Sequence, residues 1–233
     1  MPFKCSENSG SMFLSAFMKR LLLSFAVMIL VSLVQAEETQ EIAELRAKAE
    51  TGDAMSQTLL GGRYAEGDDV PKNATEAAMW YRKAAEQGEG SAQFLLGEAY
   101  HEGDGVPKND KEAVKWYRLI AETGFPIAQN RLAVMFQQGF GVPEDATEAV
   151  KWFRKSAEQG WVAAQHNLGA MYYNGDGVIK DMVEAHAWFN VASAHGNKDA
   201  KKNLAKAEEE MTKDQIAEAT KLAREYFKKY GKK

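Results

Sequence analysis

The 233-residue chain contains one cysteine, four histidines and five prolines, and each scarcity excludes something. A lone Cys5 closes no intrachain disulfide, and beyond it no thiol is left for a thiolate metal site or a cysteine nucleophile. The histidines, His101, His166, His186 and His195, never stand as His-x-x-His or His-Glu-x-x-His, so the zinc-hydrolase pattern is missing. Downstream of residue 36 there is no Ser-x-x-Lys, Lys-Thr-Gly or Gly-x-Ser-x-Gly, the signatures of serine acyl-transfer enzymes. Glu-Thr-Gly occurs at 50–52 and 122–124, at expected helix ends. Basic stripes are absent too, which argues against nucleic acid or an anionic membrane as partner.

Long apolar runs are confined to the N-terminus. Lys19-Arg20 precede Leu21 to Val34, which only Ser24 and Ser32 interrupt; Val34-Gln35-Ala36 and the acidic Glu37-Glu38 follow. Basic, apolar and small-residue regions in that order read as a secretory signal cleaved after Ala36. The run is shorter than the roughly 20 residues a spanning helix needs, so no stable membrane span is expected after cleavage. Met18, directly before Lys19, marks an alternative start that would make 1–17 an over-extension. Cleavage removes Lys4, Lys19 and Arg20 from 29 basic residues and Glu7 from 33 acidic ones, leaving a net charge of −6. The expected destination is the periplasm or the exterior, where a cysteine-free chain avoids stray oxidation.

What the rest has in abundance is repetition. Tryptophan recurs at Trp80, Trp116, Trp152 and Trp188; glycine recurs at Gly67, Gly103, Gly139 and Gly175, and at Gly88, Gly124, Gly160 and Gly196. A period of 36 signals stacked repeats. Four units span 53–88, 89–124, 125–160 and 161–196; 37–52 holds the end of a unit, and 197–233 begins a fifth before a charged helical tail, Lys213–Tyr230, replaces it. Each unit reads as a helix A (Leu96, Gly97 and Tyr100 on one face) and a helix B (Ala113, Trp116, Tyr117 and Ala121 on one face). Gly103-x-Gly105-Val106-Pro107 joins them, with Asp69 for the second glycine in unit one and Ile179 for the proline in unit four. Asn73/Glu76, Asn109/Glu112, Asp145/Glu148 and Asp181/Glu184 have capping-box spacing at the start of helix B. The expected fold is all-α, a superhelical solenoid of about nine or ten helices.

The pattern Ala-Gln-x-x-Leu-Gly-x-x-Tyr-x-x-Gly-x-Gly-Val followed by Glu-Ala-x-x-Trp-Tyr-Arg-x-Ala-Ala-Glu-x-Gly resembles the Sel-one-like repeat family, relatives of tetratricopeptide repeats, over 53–196. That resemblance implies a right-handed superhelix acting as a non-catalytic scaffold or adaptor for a protein or peptide. It carries over no active residues and implies no cofactor. Two alternatives follow from it: a secreted effector acting on a host protein, and a cell-envelope hydrolase of the penicillin-binding or β-lactamase kind described for cysteine-rich relatives, which the missing cysteines and motifs disfavour.

Other motifs reduce to structure. Gly103-Asp104-Gly105 offers one carboxylate where a calcium loop needs several, and unit three has Phe140 in its place. The Trp-Tyr/Phe pairs share a helix face with buried-type alanines and are expected in the core, as is His186, which stands where Val114 and Val150 do. Partner binding is expected where helix A varies from unit to unit: Thr58, Gly62 and Ala65; Phe94, Glu98 and His101; Asn130, Val134 and Gln137; His166, Ala170 and Tyr173. Stacked side by side these rows would line one groove, with Phe94 and Tyr173 as anchors and His101 and His166 as pH-responsive members.

Overall fold

The computed structural model describes residues 40–231, and the expected leader at 1–36 lies outside them. Among the described residues there are eleven helices and no strand: α1 (Gln40–Glu50), α2 (Ala54–Glu66), α3 (Ala74–Glu86), α4 (Gly90–Glu102), α5 (Asp110–Glu122), α6 (Pro126–Gln138), α7 (Ala146–Glu158), α8 (Val162–Asn174), α9 (Met182–Ala194), α10 (Lys198–Glu210) and α11 (Lys213–Tyr230). Helices A are α2, α4, α6, α8 and α10; helices B are α1, α3, α5, α7 and α9. From α1 to α10 each helix packs mainly on its neighbours in sequence, as a solenoid requires. Eleven exceeds the nine or ten expected because residues 198–210 complete a full helix A of a fifth unit.

Within a hairpin the controlling contact is a ring on a glycine. A Cβ added at Gly97 would sit 2.7 Å from the Tyr117 ring, and Gly61 and Gly169 face Tyr81 and Phe189 in the same way. In unit three Ala133 takes the glycine's place, and both it and Phe153 are fully buried. Between the helices, Gly103, Gly139 and Gly175 end helix A in the left-handed conformation. The second turn glycine is needed twice over. Gly105, Gly141 and Gly177 have φ of 65–71°, and a Cβ there would overlap the backbone at Ala74, Asp110 and Ala146, the first residue of the preceding helix B. Asp69 adopts the same region at φ 58°; its counterpart contact, 31 residues earlier, falls at position 38, outside the described residues.

The capping boxes form by half. Asn73, Asn109, Asp145 and Asp181 each accept the N–H of the glutamate three residues on. The return bond does not form, because the N-cap N–H is already given to the helix A aromatic carbonyl: Asn73 to Tyr64 and Asn109 to Tyr100 at 2.8 Å, Asp145 to Phe136 at 2.9 Å, Asp181 to Tyr172 at 3.0 Å. Glu112 and Glu148 turn instead to Lys115 and Lys151, and Glu184 accepts from Tyr226. A complete box closes at Thr212/Gln215, where no preceding hairpin competes.

The tail forms a helix over Lys213–Tyr230. It does not stand in for a fifth helix B: α11 lies along α9 and reaches back to α7 instead of packing on α10. The end of the stack is therefore closed by the charged outer face of α10, where Ala205, in the glycine column, is exposed because no ring covers it.

These contacts rank the glycines. Gly124→Ala, at φ 99° with open space around it, should cost about 1–2 kcal/mol for the left-handed backbone alone. Gly141→Ala adds an overlap with Asp110 and should cost at least about 3 kcal/mol. Urea unfolding of both variants measures the gap, and equal midpoints would contradict it.

Candidate protein-interaction surface

The expected groove residues lie on α2, α4, α6 and α8, and the structure ties each to its own or the next repeat. Phe94 packs on Tyr117 (ring centroids 5.9 Å apart) and Phe125 (6.5 Å). Glu98 accepts from Tyr117 Oη and pairs with Arg131 of α6 at 2.8 Å. His101 Nδ1 lies 2.6 Å from Asp110 Oδ1, and its ring packs on Phe140. Asn130 accepts from Asn167 at 3.2 Å, and Gln137 meets Met171 Sδ. His166 Nε2 lies 3.0 Å from Asn203 Nδ2. Tyr173 Oη donates to Glu210, while Lys180 and Lys206 flank its ring. Val134 is half-buried against the core, and Thr58 reaches Glu89 at 3.2 Å. Gly62, Ala65 and Ala170 leave the floor shallow beside them.

Helix A thus meets the next helix A through polar side chains, and the row is one continuous strip. Its ends differ. Met55 and Leu59 are 60% and 54% exposed at the N-terminal end, whereas the C-terminal end holds a depression of about 150 Å³ lined by Ala170, Tyr173, Asn174, Phe189, Asn203 and Lys206. A roomier apolar hollow, about 520 Å³, lies at the start of α8 around Trp161, Pro126 and Val162. Among the described residues no group of three histidine, cysteine or acidic side chains could hold a metal, and no helix is long and apolar enough to cross a membrane.

Two further ladders carry the stacking, and both escaped the reading of the sequence although their residues recur at 36. Arg46, Arg82 and Arg154 of helices B donate to the hydroxyls of Tyr64, Tyr100 and Tyr172 in the next helix A. Arg118 lies over the Phe136 ring instead, at 5.4 Å. Gln57, Gln93, Gln129 and Gln165 each donate to a carbonyl near the end of the preceding helix B. Gln57 and Gln129 also accept from Gln87 and Gln159. Gln165 would look to position 195, but His195 there turns to Val191 and Gly231 carbonyls, and Gln165 Oε1 is left buried without a partner.

Two core expectations need correction. Trp80, Trp152 and Trp188 are buried, but Trp116 is only partly so. His186 does more than pack: at 1% exposure its Nε2 lies 3.0 Å from Glu208 Oε1, fastening α10 to α9.

The comparisons agree with this geometry. Residues 54–89, 90–125, 126–161 and 162–197 match the model of the Sel1 repeat. Among solved structures, a Sel1 repeat protein from Oxalobacter formigenes is 36% identical with a TM-score of 0.64, covering 67% of this chain and 64% of its own. The structure of c5321, described as a protective antigen present in uropathogenic Escherichia coli strains displaying an SLR fold, is 34% identical with a TM-score of 0.54, covering 80% of this chain and 48% of its own. The match spans less than two thirds of either relative's length. No curated protein matches the chain.

The strip has a pH signature. Burial, then the hydrogen bond to Glu98, push the Tyr117 phenol far above its usual range. Above about pH 10 the unfolded chain therefore loses this proton before the folded one, and stability falls as pH rises. Urea midpoints measured across that range should decline, and less steeply in Tyr117→Phe; identical slopes would contradict the assignment.

Proposed function

Because the chain belongs to the Sel1 repeat family, whose members are helical-repeat scaffolds for protein interaction, we propose that it is an exported, non-catalytic adaptor that holds a protein or peptide along the helix A strip. The observation that carries this reading is the contrast between columns. The buried ring, glycine and leucine positions repeat from unit to unit, while the strip changes from Thr58 to Phe94, Asn130 and His166, and from Ala65 to His101, Gln137 and Tyr173. Stacking needs the first set alike; a ligand that differs along its length needs the second set different. Protein-facing chemistry is available at both ends, in exposed Leu59 and in the Tyr173 ring with its two lysines.

The signal-like N-terminus supports placement in the periplasm or beyond it, and the likeness to an antigen of uropathogenic bacteria fits an exported protein. Intact-mass measurement of the protein from its own cells should give a chain beginning at Glu37; a retained leader would overturn export by that route.

The strip is tested by capture from envelope extract with the unaltered chain and with Leu59→Ala/Tyr173→Ala, which leaves the Phe94–Glu98–Tyr117 packing and its Arg131 ion pair in place. A ligand held by the first and at least about tenfold depleted by the second, at equal helix content by circular dichroism, is the expected result. Equal capture by both baits would remove the strip from the interface.

A further inference from the structure

The tail supplies an internal example of a helix docked on the outer side of the solenoid. Ala219 and Ala223 of α11 are buried and let it approach α9 closely. Tyr226 and Tyr230, one turn apart, cover Trp188 with ring centroids 4.5 and 5.7 Å away. Tyr226 Oη donates to both Glu184 carboxylate oxygens at 3.0 and 3.1 Å. Lys229 of α11 lies over the Tyr230 ring at 4.8 Å, and a Cβ at Gly160, just past the end of α7, would come within 2.9 Å of the Tyr230 carbonyl. The occupied feature is the outer groove between two successive helices B, floored by the Arg154–Tyr172 pair.

Period 36 places the same parts elsewhere. Between α3 and α5 the floor is Arg82–Tyr100, Trp116 stands for Trp188 and Glu112 for Glu184. What differs from groove to groove is the lid three residues after the tryptophan. Lys83 and Lys155 lie 4.0 Å over the Trp80 and Trp152 rings and close those two grooves. In unit four the position is Val191, fully buried. In unit two it is Leu119, 51% exposed, beside the least covered tryptophan of the four. Met79, 38% exposed, sits one turn before Arg82 and so shares the face turned to the next repeat. Among the described residues, it is the groove not already filled by α11 that combines a complete floor and an acidic hydrogen-bond acceptor with an apolar wall and no lysine lid.

We propose that the outer groove between α3 and α5 docks an amphipathic helix of a partner protein that presents two aromatic residues one turn apart. The chain's own helix of that design is already seated on α9, so the occupant comes from another polypeptide. Its aromatics stack on Trp116 and Leu119, and a phenol donates to the Glu112 carboxylate beside the bond that this carboxylate accepts from Lys115. This site is separate from the helix A strip, and either can fail without the other.

A labelled peptide with the sequence of residues 213–231 is the probe, titrated into the full chain by fluorescence anisotropy. Saturable binding is expected, weakened at least tenfold by Leu119→Lys, which installs the lid of units one and three, and equally by alanine at both peptide tyrosines. Lysine already occupies that column twice, so thermal melts should coincide. No saturable binding would overturn the proposal. Binding indifferent to Leu119→Lys would also do so, since the peptide would then be exchanging with α11 on α9. A dimer of the unaltered chain that Leu119→Lys dissociates would assign the groove to a second copy and overturn the partner reading.

Discussion

The stack depends on how closely each helix A can approach its own helix B. An aromatic ring lies against a glycine, close enough that a Cβ there would make it shift, and that contact sets the spacing of the hairpin. The rest follows from the distance so fixed. With the two helices this near, the N-cap N–H of helix B meets the carbonyl of the helix A aromatic, the turn folds tightly enough to press its second glycine on the previous unit, and the arginine of helix B reaches the tyrosine of the next helix A. Unit three shows the tolerance of the arrangement, since Ala133 is accommodated with Phe153 still fully buried.

That dependence explains what could be read from the sequence. Much of what is repeated four times was legible: the hairpin, the glycines of the turn and the apolar columns of each helix. The arginine and glutamine ladders were equally periodic, but their partners lie 18 and 8 residues away on other helices, so composition and spacing gave them no evident purpose. The capping boxes misled for a related reason. Their spacing is local, whereas the competitor for the N-cap N–H is a carbonyl brought in by the fold.

Features occurring once were opaque. The course of α11 depends on Tyr226 and Tyr230 finding Trp188, and nothing in the tail's own charge pattern names that target. Trp116 is partly exposed in the unit where Leu119 stands in place of the lysine found in two others. The expected strip residues lie on helix A and take part in stacking: Glu98, Asn130 and His166 each reach toward the following repeat. A ligand there would contact the same side chains that hold successive repeats in register.

The return of α11 over α9 and α7 also makes the two ends of the molecule unequal. A linear array whose units touch only their neighbours can fray from either terminus. Here one helix bridges two successive units at the C-terminal end, and His186–Glu208 adds a second fastening. At the other end, among the described residues, α1 packs mainly on α2, with Ala49 and Leu45 also reaching Trp80 of α3. Fraying at the C-terminal end therefore has to lift α11 before it can part α9 from α7, so the last two units open as one.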